Sequence, residues 1–390
     1  MKALQVTLTA SSVLLFLFLL GSASTANAEE IFPTAVLTAS DGVSGDDFGT
    51  SVAFSGNTLV VGSIGSAGNG AAYVFINSGG LWTQVAKLTA SDGVTGSQFG
   101  FSVGISGNTV AVGAPMQSGG GAVYVFVKPG GGWADTTQTA KLAYGGQDFG
   151  YCVAVGGGGS FVLMGAFFAS TAYVFVEPAG GWANMIAPTA TLVTPPNSGA
   201  FGTAIAVSGT TAVVGAHTTN NGNGAAYVFP LSPGTASINS VAALTPSDGN
   251  GDDFMGGAVA INGNTVVAGG TGHDQARGAV YIFVEPTTGW TDMTQTAELT
   301  VNAGGGTALG AGVEISNEAI VAGAPSGAFS AVLAYLKPAS GWANSSAPNA
   351  WGTPSVRSAS FGEAVALEGT TAAVGASDVN LGQGAVYIFQ

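Results

Sequence analysis

Few residues in this chain are of a type that can bind or react, and those few recur at regular distances. Acidic residues gather at two places: Asp41, Asp46 and Asp47 before residue 48, and Asp248, Asp252 and Asp253 before residue 254, with Asp92 and Asp148 elsewhere. Grouped carboxylates supply hard oxygen ligands, which makes Asp46, Asp47, Asp252 and Asp253 the candidates for a metal or cationic ligand. The plainer account is turn chemistry, since Ser-Asp-Gly turns readily and Asp bonds its own backbone. Three related positions hold Ala200, Ala308 and Ser360, so no acidic ring forms. Trp82, Trp133, Trp182, Trp290 and Trp342 each follow a Gly-rich stretch. Indoles stack on sugar rings, so these five are the candidates for ligand binding. Their repetition equally suits a structural plug in each unit, which is the preferred reading. The two histidines, His217 and His273, with Asp274 beside the second, would suit a metal only if the fold brought them together. Cys152 stands where other units have Ser51 or Ser102 and reads as a small buried thiol. No G-x-S-x-G elbow, H-E-x-x-H pair or Walker loop is present, so no catalytic residue is assigned and a non-enzymatic protein is expected.

The elements that must position these residues come from an internal repeat. Phe-Gly or a counterpart recurs at Phe48-Gly49, Phe99-Gly100, Phe149-Gly150, Phe201-Gly202, Phe254-Met255, Leu309-Gly310 and Phe361-Gly362. After each comes a short alternating segment (Ser51-Val52-Ala53-Phe54), a tight turn, an apolar run (Thr58 to Gly62) and a Gly-rich loop. A third segment (Gly70 to Phe75) and a fourth (Ala86 to Ala90) complete the unit. Period-two patterning, β-branched and aromatic enrichment and Gly/Asn/Ser turns predict strands, and no segment carries a helical stripe. Four-stranded units at a period near 50 predict an all-β, seven-bladed β-propeller with four antiparallel strands per blade. The seventh unit reaches Gln390 after its third strand, and Ala35 to Ala39 matches the fourth-strand segment Ala86 to Ala90. The N-terminal strand is therefore expected to complete the last blade and close the ring, which removes two open sheet edges.

Composition narrows the classes further. The 390 residues include 64 Gly but only 7 Lys+Arg and 21 Asp+Glu, a formal charge of -14. With 46% apolar residues and 7% charged, the chain is unlike a disordered one. Nucleic acid is excluded as a partner because no basic cluster exists to displace counterions. A single cysteine rules out an internal disulfide framework. Lys2, the apolar run Val13 to Leu20 and Ala26-Asn27-Ala28 read as a cleavable export signal over residues 1–28, cut after Ala28. A single propeller over 29–390, secreted or at the cell surface, with no membrane span in the mature chain, is expected to follow.

The Phe-Gly starts and the Gly-Ala-Pro after the second strand (Gly113-Ala114-Pro115, Gly323-Ala324-Pro325) resemble FG-GAP repeats. Such repeats form the N-terminal seven-bladed propeller of integrin alpha subunits and occur in secreted bacterial proteins. The resemblance implies a binding or adhesion module that uses face loops to hold extracellular protein or polysaccharide, expected here as a monomer. An extracellular hydrolase or lyase acting on carbohydrate, or a self-associating envelope or matrix component, are the alternatives. The family often carries calcium in an acidic turn between first and second strands. Here those turns are Ser55-Gly56-Asn57, Ser106-Gly107-Asn108, Gly156 to Ser160, Ser208-Gly209-Thr210, Asn262-Gly263-Asn264, Ser316-Asn317-Glu318 and Glu368-Gly369-Thr370. They are short and poor in carboxylates, so no cofactor is expected.

Overall fold

A computed structural model describes residues 28–65, 68–145, 148–232, 234–302, 306–325 and 330–390. The export signal read over residues 1–28 lies almost entirely outside these. Among the described residues, no helix is long and apolar enough to cross a membrane.

Seven mostly antiparallel sheets surround one axis. The first blade sets the pattern with β3 (Phe48–Ser55), β4 (Thr58–Ser63), β5 (Ala71–Ser78) and β6 (Leu81–Thr89), paired in that order from the inside out. The second strands are buried along their whole length or all but their first residue, as in Thr58–Ser63, Thr109–Ala114 and Thr265–Gly270. Both faces of each sheet are covered by neighbouring blades, which is why these strands read as continuous apolar runs. In five blades the first-to-second connection is a two-residue turn such as Gly56-Asn57, between the paired residues Ser55 and Thr58; in blades three and six it is four residues.

The Phe-Gly dipeptide is the joint between blades. Phe99 is fully buried among Val60, Val74 and Leu88 of blade one and makes edge contacts with Tyr124 and Phe126 of its own blade at 5.3 and 6.1 Å. The carbonyl of Gly100 lies against Gly62 of blade one, where any Cβ would collide with it. It also accepts the Ser51 hydroxyl at 2.8 Å. Blade two repeats this bond with Ser102 on Gly150 at 2.9 Å, and blade three repeats it with the Cys152 thiol on Gly202 at 3.2 Å. Burial pushes the Cys152 thiol up to about 12, so it stays protonated. Cys152→Ser should therefore shift the stability measured by guanidinium denaturation by less than about 1 kcal/mol, because a serine already makes this bond in two sister blades.

In blade five the sequence alignment shifts by one residue. Met255, not Phe254, is fully buried and bridges Gly224, as Phe99 bridges Gly70. Gly256 supplies φ +92, beside +95 at Gly100 and +94 at Gly310, and donates its N–H to Gly269 at 2.9 Å. Phe254 instead takes the φ +57 position held by Gln98 and Asp148 elsewhere. Phe and Met are both apolar, so the pattern alone does not separate the two registers; the required glycine does.

The ring closes as the repeat predicts, and at two blades. β2 (Ala35–Leu37) pairs antiparallel with Ala385–Phe389 as the fourth strand of blade seven. β1 (Glu29–Ile31) pairs parallel with Ala350–Gly352 on the outside of blade six. The second pairing belongs to a wider pattern in which a short segment of one blade lies parallel on the fourth strand of the blade before it, as Thr136–Thr137 does on β6.

Candidate functional site

Antiparallel order puts the second-to-third loops and the segments entering each first strand on one face of the ring. The chemistry-bearing side chains collect on that face. Phe101 and Tyr151 follow the Phe-Gly joints of blades two and three, with ring centroids 5.0 Å apart. Tyr151 stacks on Phe167 at 5.1 Å, and Phe167 stacks on His217 at 5.9 Å and 17°. His217 meets Phe254 edge-on at 6.1 Å. Five half-buried rings from four blades thus form one row. Burial holds His217 below its ordinary value, so its ring is neutral at pH 7. The Thr203 hydroxyl lies 3.0 Å from its Nδ1.

In blade three the row branches to Phe168, whose ring lies 4.8 Å from Phe167 and which is 65% exposed. Phe168 lines an open groove of about 390 Å³ with Pro115, Met116, Gln117, Gly120 and Asp148. Met116 is half exposed, while Gln117 and Asp148 are buried at the floor. The Gln117 amide donates to the Asp92 carbonyl at 3.1 Å. Among the described residues, Gln117 Oε1 and Asp148 Oδ2 accept no hydrogen bond. Loss of hydration raises the Asp148 carboxyl above its ordinary range. An exposed ring over acceptors in need of donors is a surface that sugars fit, since they offer C–H faces and hydroxyl donors.

A second cluster lies on the same face in blade five, and two sister blades explain it. In blade one, Tyr73 and Lys87 are cross-strand partners. Asp41 accepts the Tyr73 hydroxyl at 2.9 Å and the Lys87 ammonium at 2.5 Å. Blade two repeats this with Asp92, Tyr124 and Lys141. The bond from Lys87 draws Asp41 below the ordinary carboxylate range; burial opposes the same shift at Asp92, but the bonds from Lys141 and Tyr124 outweigh it. In blade five the partner of Tyr281 is Glu298. Asp248 keeps the acidic position, and His273 enters from the second-to-third loop. Ligand atoms of Asp248, His273 and Glu298 all lie within 4.8 Å of one another. His273 Nε2 is 3.4 Å from Glu298, while Nδ1 is 3.0 Å from the Tyr281 hydroxyl and 3.6 Å from buried Asp253. Burial, reinforced by the neighbouring Asp248, raises Glu298, and His273 opposes the shift.

Of the four acidic metal candidates, only Asp253 joins this group. Asp46 accepts the Val43 N–H at 2.8 Å as a turn cap. Asp47 and Asp252 hold backbone positions at φ 53 and 62. The two histidines do not meet: His217 belongs to the aromatic row, and Asp274 pairs with Arg277 rather than with His273. The tryptophans turn inward. Trp133, Trp182 and Trp342 are 8, 6 and 9% exposed, and each packs between its own blade and the preceding one. Indoles this deeply buried have no face free for a ligand, which corrects the stacking expectation for these three. Trp290 is half-buried, and Trp82 packs on Phe54 at 5.7 Å and lines a pocket of about 230 Å³ with Glu368. Phe101, Tyr151, Phe167, Phe168 and Glu298 were missed from the sequence. Comparing repeats in register would have found them, since Thr50 or Thr203 stands where Phe101 and Tyr151 do, and lysine stands where Glu298 does.

The comparisons with known proteins agree with the fold. The FG-GAP repeat family matches residues 33–75, 82–126, 197–229, 238–283 and 356–389, more than half of the chain. No curated protein matches the sequence. A chain in the crystal structure of the mitotic checkpoint complex is similar at TM-score 0.59 and 16% identity, over 97% of this chain and 98% of that one. The periplasmic gluconolactonase PpgL of Pseudomonas aeruginosa gives TM-score 0.52 at 15% identity, over 78% and 87%. A putative 6-phosphogluconolactonase of Bacteroides uniformis gives 0.55 at 12%, over 75% and 82%. At such identities the likeness is one of fold. It nevertheless corrects the expectation of a non-enzymatic protein, because propellers titled as lactonases share this framework. Seven blades joined through Phe-Gly or an apolar residue followed by Gly, together with the extent of the match, place the chain in the FG-GAP repeat family.

Proposed function

We propose that this propeller binds carbohydrate at the mouth between blades two and three, with extracellular polysaccharide as the source. The observation that carries the reading is the exposed Phe168 ring at the edge of the groove, backed by the central ring of the aromatic row, Phe167. A pyranose would lay its C–H face on Phe168 and donate hydroxyls toward Asp148 and Gln117. Low charge across the chain suits a neutral ligand. A second reading, hydrolysis of the bound sugar, is supported by the buried Asp148 carboxyl with an unpartnered oxygen at the groove and by the lactonase-like propellers that share this framework.

A glycan array with wild type, Phe168→Ala and Asp148→Asn tests the site. Wild type should select a small set of glycans. Phe168→Ala should weaken them by about fivefold, since stacking on an exposed ring contributes on the order of 1 kcal/mol. Asp148→Asn keeps the shape and should also weaken binding. Cleavage of the selected glycan, seen as new reducing ends and lost in Asp148→Asn, would support the hydrolase reading. An array without hits would move the weight to a protein partner.

A further inference from the structure

Blade five has the same architecture as blades one and two but the opposite charge logic. Where Lys87 and Lys141 reach over Tyr73 and Tyr124, each 5.4 Å from the ring centroid, to neutralise an aspartate, blade five presents Glu298. Asp248, Asp253 and Glu298 therefore converge with no lysine among them. Among the described residues their one ion-pairing partner is His273. Three carboxylates around one imidazole are short of positive charge in a half-buried place, where an uncompensated charge is costly. Turn chemistry does not account for this arrangement, because Glu298 lies mid-strand and is brought to His273 by its pairing with Tyr281.

We infer that blade five holds a divalent cation of the zinc class through His273 Nε2, Glu298 and Asp248. The separation of 3.4 Å between Nε2 and the Glu298 oxygen is that of two ligands on one tetrahedral ion with bonds of about 2.1 Å. Imidazole in the set favours zinc or a neighbouring transition metal over calcium, which takes oxygen ligands. Nδ1, on the far side of the ring, faces the Tyr281 hydroxyl and Asp253, the outer contacts that fix a ligating imidazole. Three protein ligands leave one position for water or a ligand atom. Asp253 is followed directly by Phe254, the end of the aromatic row, so a ligand along that row would extend toward the cation. The site does not depend on the sugar reading.

The test uses the untagged protein, metal-free after chelation, titrated with zinc chloride while the imidazole signals are followed by NMR. The chain has two histidines, so His217 is an internal control. One equivalent of zinc should shift the His273 signals, leave those of His217 in place and raise the melting temperature. Glu298→Lys restores the lysine of blades one and two, and should fold while binding zinc at least 100-fold more weakly. His273→Gln, tested by calorimetry, should lose affinity to the same degree and stands in if the lysine variant misfolds. No zinc response in wild type, unchanged affinity in a folded variant, or tighter binding of calcium than of zinc would each overturn the inference.

Discussion

A chain lacking residues 29–40 should fail to form a monodisperse propeller. It loses β1 and β2, which complete blades six and seven at once. Leu37 and Ala39 are buried against Leu59, Val61 and Val386, so the deletion opens the joint between the last and first blades as well as one sheet edge. Loss of the Leu37 side chain alone costs about 2 kcal/mol, and exposed strand edges recruit other chains. Size-exclusion chromatography should show aggregates, and the cooperative melt should be lost or lowered by many degrees. A truncated protein that is monomeric and melts like wild type would contradict ring closure by these strands.

Glu314→Gln should stabilise the protein at alkaline pH. Glu314 lies on the innermost strand of blade six, between Val313 and Ile315, which pack toward blade five. Alternation along the strand turns Glu314 the other way, toward blade seven. Its carboxylate accepts the Ile315 N–H at 3.1 Å. Burial pushes the carboxyl up to about 7; the Ile315 bond opposes this, and Glu368 adds to it. The folded state thus keeps a proton that the unfolded chain releases near its ordinary value. Stability from this group is fully present below about pH 4.5 and is lost as pH rises through about 7, a cost of about 3 kcal/mol by pH 8. In guanidinium denaturation the variant should exceed wild type by about that amount at pH 8 and match it at about pH 4. A difference that does not change with pH would contradict the assignment.

The frame of the molecule was legible because the repeat writes each structural demand seven times. Burial of the joint residue and the glycine after it recur in every unit, and Cys152 could be placed from Ser51 and Ser102 alone. The site was less legible for a physical reason. Its residues are the departures from the repeat, and a consensus reading sets departures aside. Phe101, Tyr151, Phe167, His217 and Phe254 come from four blades and become neighbours only when the ring closes. Glu298 meets His273 through strand register, which spacing along the chain does not reveal. Repetition of the tryptophans favours a structural plug over a stacking surface, and the indoles of Trp133, Trp182 and Trp342 fill the space between adjacent blades. The tight first-to-second turns, read as too short for calcium, also direct attention to the opposite face, where both clusters lie.

Carbohydrate recognition at the Phe168 groove is tested most directly by saturation-transfer NMR with the strongest glycan from the array. Saturating the protein should mark the C–H protons of one pyranose face, and the transfer should vanish in Phe168→Ala while the melt stays unchanged. Transfer that persists at full strength in folded Phe168→Ala would contradict the site.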